Sequence, residues 1–129
     1  MIRKNFTFIF LALFALSFYV VPVLGHEKPQ QIQEQSSQQT ADAAILGLEG
    51  YFFGIIVITD AVNSVQVDAY DNATGASGDK LFPTWEVTTS VNDRIQTLSF
   101  DPPLDFSNGI YVDITTSGTA KYMVYYRTK

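Results

Sequence analysis

The stretch YFFGIIVIT, residues 51–59, decides the fold class. It is a continuous apolar run, it is rich in β-branched side chains, and turn-forming residues follow it at 60–64. A short run of this kind is typical of a strand that is buried on both faces. We therefore predict a central strand of a β-protein at residues 51–59.

The chain on the C-terminal side of this run alternates between apolar and polar residues. Such alternation predicts strands with one solvated face, and strands of that kind pair antiparallel. We expect no strand to cross residues 101–109, because Pro102 and Pro103 cannot donate to a sheet. The alternating segments lie at 65–70, 80–90, 94–100, 110–115 and 119–127.

This spacing predicts an all-β fold, a single antiparallel β-sandwich of six to seven short strands over residues 45–129. A small barrel is the alternative. The sandwich is favoured because a two-layer core can bury a first strand that is apolar on both faces. Trp85 shares a strand face with Leu81 and Val87, so we expect its side chain to be buried.

The N terminus has the order of regions found in a secretory signal peptide, which we predict at residues 1–25. Arg3 and Lys4 form a positive end, an apolar core follows at 6–21, and Pro22 precedes a short processing region. The mature chain would then begin at His26. An uncleaved membrane anchor is the alternative, because the apolar core nearly reaches the ~20 residues that span a bilayer. Either outcome predicts a secreted or extracytoplasmic protein, periplasmic or at the cell surface, with membrane contact only through this segment.

Residues 26–44 are predicted to be a disordered linker. Glutamine and serine dominate the first part, which offers too little apolar surface to offset the entropy lost on ordering. Residues 41–49 are compatible with a helical turn or with the lead into a strand, and the sequence leaves these two alternatives open.

Charge and composition exclude several kinds of partner. The chain has a formal net charge of −5 at pH 7 and no cysteine, and it has no run of Lys or Arg. A basic patch for nucleic acid is therefore absent, and we predict no nucleic-acid partner. Without disulfides, the domain depends on packing for its stability.

The side chains predict no catalytic, cofactor-binding or metal-binding residue, and hence a protein that is not an enzyme. His26 is the single histidine, so Ser-His-Asp and Cys-His arrangements and a zinc site with nitrogen and sulfur ligands are excluded. Most carboxylates lie in turns, where Asp accepts hydrogen bonds from the local backbone. A calcium loop at 71–79 is a further alternative, although its spacing differs from an EF-hand and favours a plain turn.

Aromatic residues on the predicted outward faces of the strands form a candidate interaction surface. A solvated sheet face is normally polar, whereas nearly every predicted strand here places an aromatic or large apolar residue outward. Ordinary cross-strand pairing is one explanation. The other is a contact surface for a protein, a glycan or a second copy of the chain. The candidate residues are Tyr70, Phe82, Tyr111 and Tyr125. Separately, Asn72 with Thr74 fits the N-glycosylation acceptor pattern.

Five segments of the domain resemble those of a known group of proteins. They are residues 54–60, 65–72, 76–81, 108–113 and 122–127. In these the chain resembles small, mostly uncharacterised β-proteins encoded among bacteriophage and prophage structural genes. The resemblance implies a virion-associated or assembly module with no catalytic residues to carry over. The signal segment departs from that group, because virion proteins assemble in the cytoplasm, and it favours a captured, secreted relative.

These observations together predict an exported, non-enzymatic β-sandwich that acts by binding or assembly, as a virion-like structural or surface protein. A glycan-binding or cell-surface-binding module is one alternative. A carbohydrate-active enzyme is the other, and it would require two carboxylates that converge in a concave pocket.

Overall fold

A computed structural model describes residues 33–129, which form eight strands and no helix. The predicted signal segment, His26 and the first part of the predicted linker lie outside the described residues. The strands are β1 (Glu34–Gln35), β2 (Ala43–Leu46), β3 (Gly50–Thr59), β4 (Val65–Tyr70), β5 (Trp85–Val87), β6 (Ile95–Phe106), β7 (Ile110–Thr116) and β8 (Ala120–Thr128).

The strands form two four-stranded antiparallel sheets, so the predicted all-β sandwich is confirmed. Sheet A has the order β1-β8-β3-β6, and sheet B has the order β2-β7-β4-β5. The pairs β1–β8, β2–β7, β3–β6 and β4–β5 are those of one long hairpin. Rolling this hairpin up brings β3 beside β8 and β4 beside β7. The result is jelly-roll topology, in which eight strands form two Greek keys.

The core lies between the two sheets and is built from the alternating residues that face inward. Val65, Val67 and Ala69 of β4 are fully buried, as the alternation predicts. Sheet A opposes them with Phe52, Ile55, Val57, Tyr122 and Val124, all of which are buried in the same cluster.

Strand β3 differs from its prediction, because only one of its two faces is fully buried. The side chains that point away from the core are half-buried, since among residues 33–129 no third layer covers sheet A. These outward residues are Tyr51, Phe53, Ile56 and Ile58.

The predicted loop at 101–109 is wrong in its first half, because β6 continues to Phe106. Phe52 pairs with Leu104 and Gly54 pairs with Ser99, so the intervening residues of β6 bulge out of the ladder. Pro102 and Pro103 lie in this bulge, where a missing N–H costs no ladder hydrogen bond. The strand therefore crosses the prolines by interrupting its pairing and resuming it at Leu104.

The predicted linker at 26–44 extends too far, because residues within it belong to the sandwich. Strand β1 pairs with β8, and β2 begins at Ala43 and pairs with β7. Between them, Gln39 and Tyr122 exchange two backbone hydrogen bonds of 2.9 and 3.0 Å. Backbone pairing needs no apolar sequence, which is why a glutamine-rich segment can add to a sheet edge.

Trp85 is half-buried against the core instead of fully buried as predicted, whereas Val87 is fully buried. Strand β5 is an edge strand of sheet B. A large side chain at an edge has neighbours on only one flank, and this explains the partial exposure.

Candidate functional site

Tyr70 and Tyr111 lie together on the outer face of sheet B. They are direct cross-strand partners in the β4–β7 ladder, and each is half-buried. Asp68 and Asp113 form the next outward-facing pair of the same ladder. The structure therefore brings two of the four predicted surface residues into one place.

Tyr125 lies on the other side of the molecule, on the outer face of sheet A. It pairs with Gly54 in the β3–β8 ladder, next to the inward pair of Val124 and Ile55. The prediction of one surface shared by Tyr70, Tyr111 and Tyr125 is therefore wrong. Alternation shows which residues of a strand share a face, but it does not show which strands share a sheet.

Phe82 is not part of any surface, because its side chain is only 5% exposed. Its ring packs against those of Phe52 and Phe100, at centroid distances of 5.7 and 5.6 Å. The prediction assumed a strand through residues 80–90, but β5 begins only at Trp85. Outside a regular strand, alternation no longer sets the direction of the side chain.

Beside Tyr70, Lys80 organises the polar groups of the sheet B face. Its Nζ lies 2.8 Å from Oδ1 of Asp68 and 2.9 Å from Oγ1 of Thr84, and 5.7 Å from the centroid of the Tyr70 ring. Burial is the largest single influence and would raise the pKa of Asp68, but the hydrogen bonds from Lys80 and Thr84 and the charge of Lys80 together outweigh it and lower the pKa. Asp68 is thus held in its charged form.

Asp113 has the opposite electrostatic environment on the same face. Burial raises the pKa of the Asp113 carboxyl, and the nearby carboxyl of Asp42 raises it further. Asp42 itself accepts a 2.8 Å hydrogen bond from the backbone N–H of Ile114. The face thus combines two phenol rings, an amine and carboxyls of different acidity, which can stack against a ligand and hydrogen-bond to it.

The outer face of sheet A has a different character, and we call it the apolar face. In the registers of β3 with β8 and β6, Ile56 lies beside Met123, and Ile58 lies beside Ile95. Ile95 is 63% exposed, and the other members are half-buried. The apolar face consists of Phe53, Ile56, Ile58, Ile95, Met123 and Tyr125.

Cationic side chains border the apolar face at one end. The guanidinium carbon of Arg127 lies 4.8 Å from the ring centroid of Tyr51 and 5.9 Å from that of Phe53. Nζ of Lys129 lies 5.1 Å from the Tyr51 ring and 3.1 Å from a carboxylate oxygen of Asp105. These cation–π contacts hold the long side chains over the rings instead of leaving them in solvent.

The carboxylates in the turns accept hydrogen bonds from backbone N–H groups, as predicted. Oδ1 of Asp60 accepts from the N–H groups of Val62 and Asn63, both at 2.9 Å. Backbone hydrogen bonds, first that from Asn63, hold the pKa of Asp60 well below its usual range. In the predicted turn at 71–79, Asp71 accepts from the N–H groups of Ser107 and Asn108.

Asn72 is built into the same turn by its own side chain. Its carbonyl oxygen accepts from the backbone N–H of Thr74 at 2.8 Å, and its amide nitrogen donates to the Ser77 carbonyl at 3.1 Å. N-glycosylation at Asn72 stays a prediction, and it would require the amide nitrogen to leave this hydrogen bond.

A pocket of about 430 Å³ lies at the end of the sandwich where β7 turns into β8. Asp42 and Lys121 are the charged residues in its lining, and Ile114 and Ala120 contribute apolar surface. Asp68 and Asp113 lie on the sheet B face and do not line this pocket.

Sequence reasoning missed Lys80 and Asp42, and its candidate residues included only Tyr125 of the apolar face. Alternation over residues 80–90 predicts Lys80 in a strand, although Asp79 and Gly78 before it indicate a turn. Asp42 lay in the predicted linker. Ile56 and Ile58 were assigned to a core, because a continuous apolar run does not distinguish a doubly buried strand from one with an apolar outer face.

Neither a protein-family model nor a curated protein nor a solved structure matches the chain. Within residues 33–129, no group of three or more His, Cys, Asp or Glu side chains is arranged to hold a metal ion. The same residues include no helix long and apolar enough to span a membrane.

Proposed function

We propose that the protein is an exported, non-enzymatic module that acts by binding or assembly, as a virion-like structural or surface protein. The observation that carries this proposal is the apolar face of sheet A. Side chains from β3, β6 and β8 contribute to it, so the patch crosses the sheet instead of following a single strand.

The composition of this face supports a contact surface. The outer face of an antiparallel sheet in a two-layer protein is normally polar, since water covers it. Contiguous apolar patches mark interaction sites. Aromatic residues, Met and Arg are also enriched in interface cores, and Tyr125, Met123 and Arg127 follow one another along β8 on this side.

The jelly-roll strand order gives secondary support. Viral capsid domains and lectin domains both use eight-stranded jelly rolls. A fold alone does not assign a function, because one fold hosts many sites. The apolar face is what favours assembly or surface binding over other uses of the fold.

The substitution Ile56→Lys tests the proposal, because it places a charge in the middle of the apolar face. Thr115→Lys is the matched control, since Thr115 is exposed on the outer face of sheet B. We expect Ile56→Lys to abolish co-sedimentation with envelope material and the formation of larger assemblies, and Thr115→Lys to preserve both. Equal behaviour of the two variants, with both folded, would contradict the proposal.

A second candidate function is glycan binding at the sheet B face, and the Tyr70–Tyr111 pair favours it. Two adjacent phenol rings beside Asp68, Thr84 and Lys80 can stack on a sugar ring and hydrogen-bond to its hydroxyl groups. Binding to immobilised glycans that is lost in Tyr111→Ser and kept in Ile56→Lys would support this candidate over the first.

A further inference from the structure

We propose that the first half of β6, residues 95–100, is the edge to which a second copy of this chain adds, antiparallel and about a two-fold axis at Thr97. This inference deepens the proposed function and rests on it, because it names the assembly partner and the contact.

The backbone N–H and C=O groups of β6 point alternately toward β3 and away from it. The N–H of Thr59 donates to the carbonyl of Arg94 at 2.8 Å, so this position is a hydrogen-bonded pair of the β3–β6 ladder. Hydrogen-bonded and non-bonded pairs alternate in an antiparallel ladder. The backbone groups of Ile95, Thr97 and Ser99 therefore point away from β3.

The outer edge of β6 is open in the part of the chain that the structure describes. No strand there pairs with β6 on the side away from β3. Thr97 and Ser99 are exposed, and Ile95 is 63% exposed. A row of outward N–H and C=O groups is a template for another strand.

The four sheet edges differ in how well they are protected against pairing with another strand. Natural edges are blunted by short strands, Lys, Pro or bulges. Strand β1 has two residues and β5 has three, and β2 has four residues with a register shift. Residues 95–100 of β6 include no charged residue and no proline, and the bulge with Pro102 and Pro103 begins only beyond them.

The edge is complementary to itself, and we therefore identify a second copy of the chain as its partner. With the axis at Thr97, the two Thr97 residues face each other, and Ile95 of each copy faces Ser99 of the other. The backbone N–H and C=O groups of Ile95, Thr97 and Ser99 all point away from β3. The three opposed pairs therefore form about six backbone hydrogen bonds, two in each pair. Such a contact is isologous and closes at a dimer.

The geometry also explains how this dimer would serve assembly. When the two-fold axis is perpendicular to the sheet, the outer faces of sheet A in the two copies point in the same direction. The two A sheets then join into one sheet of twice the width, and the two apolar faces become one continuous surface. A larger continuous patch binds a surface or a further copy more strongly than either half alone.

Opposed charges at position 97 test the inference. Thr97→Lys and Thr97→Asp each place like charges directly opposite across the axis, which destabilises a strand pair. We expect each variant alone to dimerise at least about tenfold more weakly than the wild type when dimerisation is measured by sedimentation. The protein used is the chain with the N terminus that processing leaves. An equimolar mixture should recover the dimer, because Lys then faces Asp. Thr115→Lys and Thr115→Asp, alone and mixed, are the controls and should sediment like the wild type.

The mixture keeps the test independent of folding defects, since a misfolded variant would not be rescued by its opposite. A wild-type chain that stays monomeric at all concentrations would overturn the inference. So would a dimer unaffected by either charge, or a mixture that fails to recover it from two folded variants. The proposed function is tested separately by Ile56→Lys. It stands if that substitution abolishes envelope binding while Thr115→Lys retains it, whether or not the wild-type chain dimerises.

Discussion

Phe82 and Trp85 lie three positions apart in the chain and differ in burial, which makes them a matched pair for a stability measurement. Phe82 is buried among aromatic rings, whereas Trp85 packs against the core from an edge strand. Phe82→Ala should cost about 3–5 kcal/mol of unfolding free energy, in the range for large aromatic side chains in cores. Trp85→Ala should cost less. Chemical denaturation of both variants checks this order, and a larger loss at Trp85 would contradict the assigned burial.

Asp60 predicts a pH dependence in the acid range. Backbone hydrogen bonds lower its pKa in the folded protein below the ordinary value of 3.8. The unfolded chain therefore binds a proton first as the pH falls, and the stability from this carboxylate is present above 3.8 and lost below it. The difference in unfolding free energy between wild type and Asp60→Asn should shrink as the pH falls through this window. A difference that grows there would contradict the assignment.

At the scale of elements, Tyr122 joins the chain before β2 to strand β8. Its hydroxyl donates a 3.0 Å hydrogen bond to the carbonyl of Ala41, and burial raises the pKa of this phenol, so it remains protonated. Tyr122→Phe should cost about 1 kcal/mol, the net value of a typical hydrogen bond.

Hydrogen exchange shows whether the same segment is docked. The Gln39 amide is bonded to Tyr122 and should exchange slowly. The neighbouring amide of Gln38 has no hydrogen bond among the described residues and should exchange fast. Equal, fast exchange at both positions would restore the linker prediction for this segment.

The strands that sequence reasoning predicted well are those with long, clean alternation. Residues 65–70 and 110–115 were placed correctly to within a residue or two, because period-2 burial is a local property. In β6, alternation over residues 94–100 predicts that Leu98 and Phe100 point outward, but both pack against the core. Ile95 and Leu98 belong to opposite faces of β6 and both are apolar. The sequence pattern therefore does not show which face of β6 points to the core.

Long-range pairing was the part that sequence patterns do not contain. Which side of the sandwich carries Tyr125 depends on β8 joining β3, a contact between distant parts of the chain. The addition of β1 to β8 depends on backbone hydrogen bonds, which any side chain permits. The fold class was therefore predictable, but the composition of each outer face required the topology.

At the scale of the whole molecule, the proposed function requires export. The predicted cleavage site leaves His26 as the first residue of the mature protein. N-terminal sequencing of the secreted product should begin at His26. A full-length chain held in the membrane fraction would establish the anchor alternative instead.

Side-chain labelling with hydroxyl radicals shows which outer face makes the contact, because each outer face carries its own reactive reporters. Met123 and Tyr125 report on the apolar face of sheet A, and Tyr70 and Tyr111 report on sheet B. When the protein is bound to envelope material or assembled, we predict that labelling of Met123 and Tyr125 falls while that of Tyr70 and Tyr111 is unchanged. Unchanged labelling of Met123 and Tyr125, or protection confined to Tyr70 and Tyr111, would contradict the account.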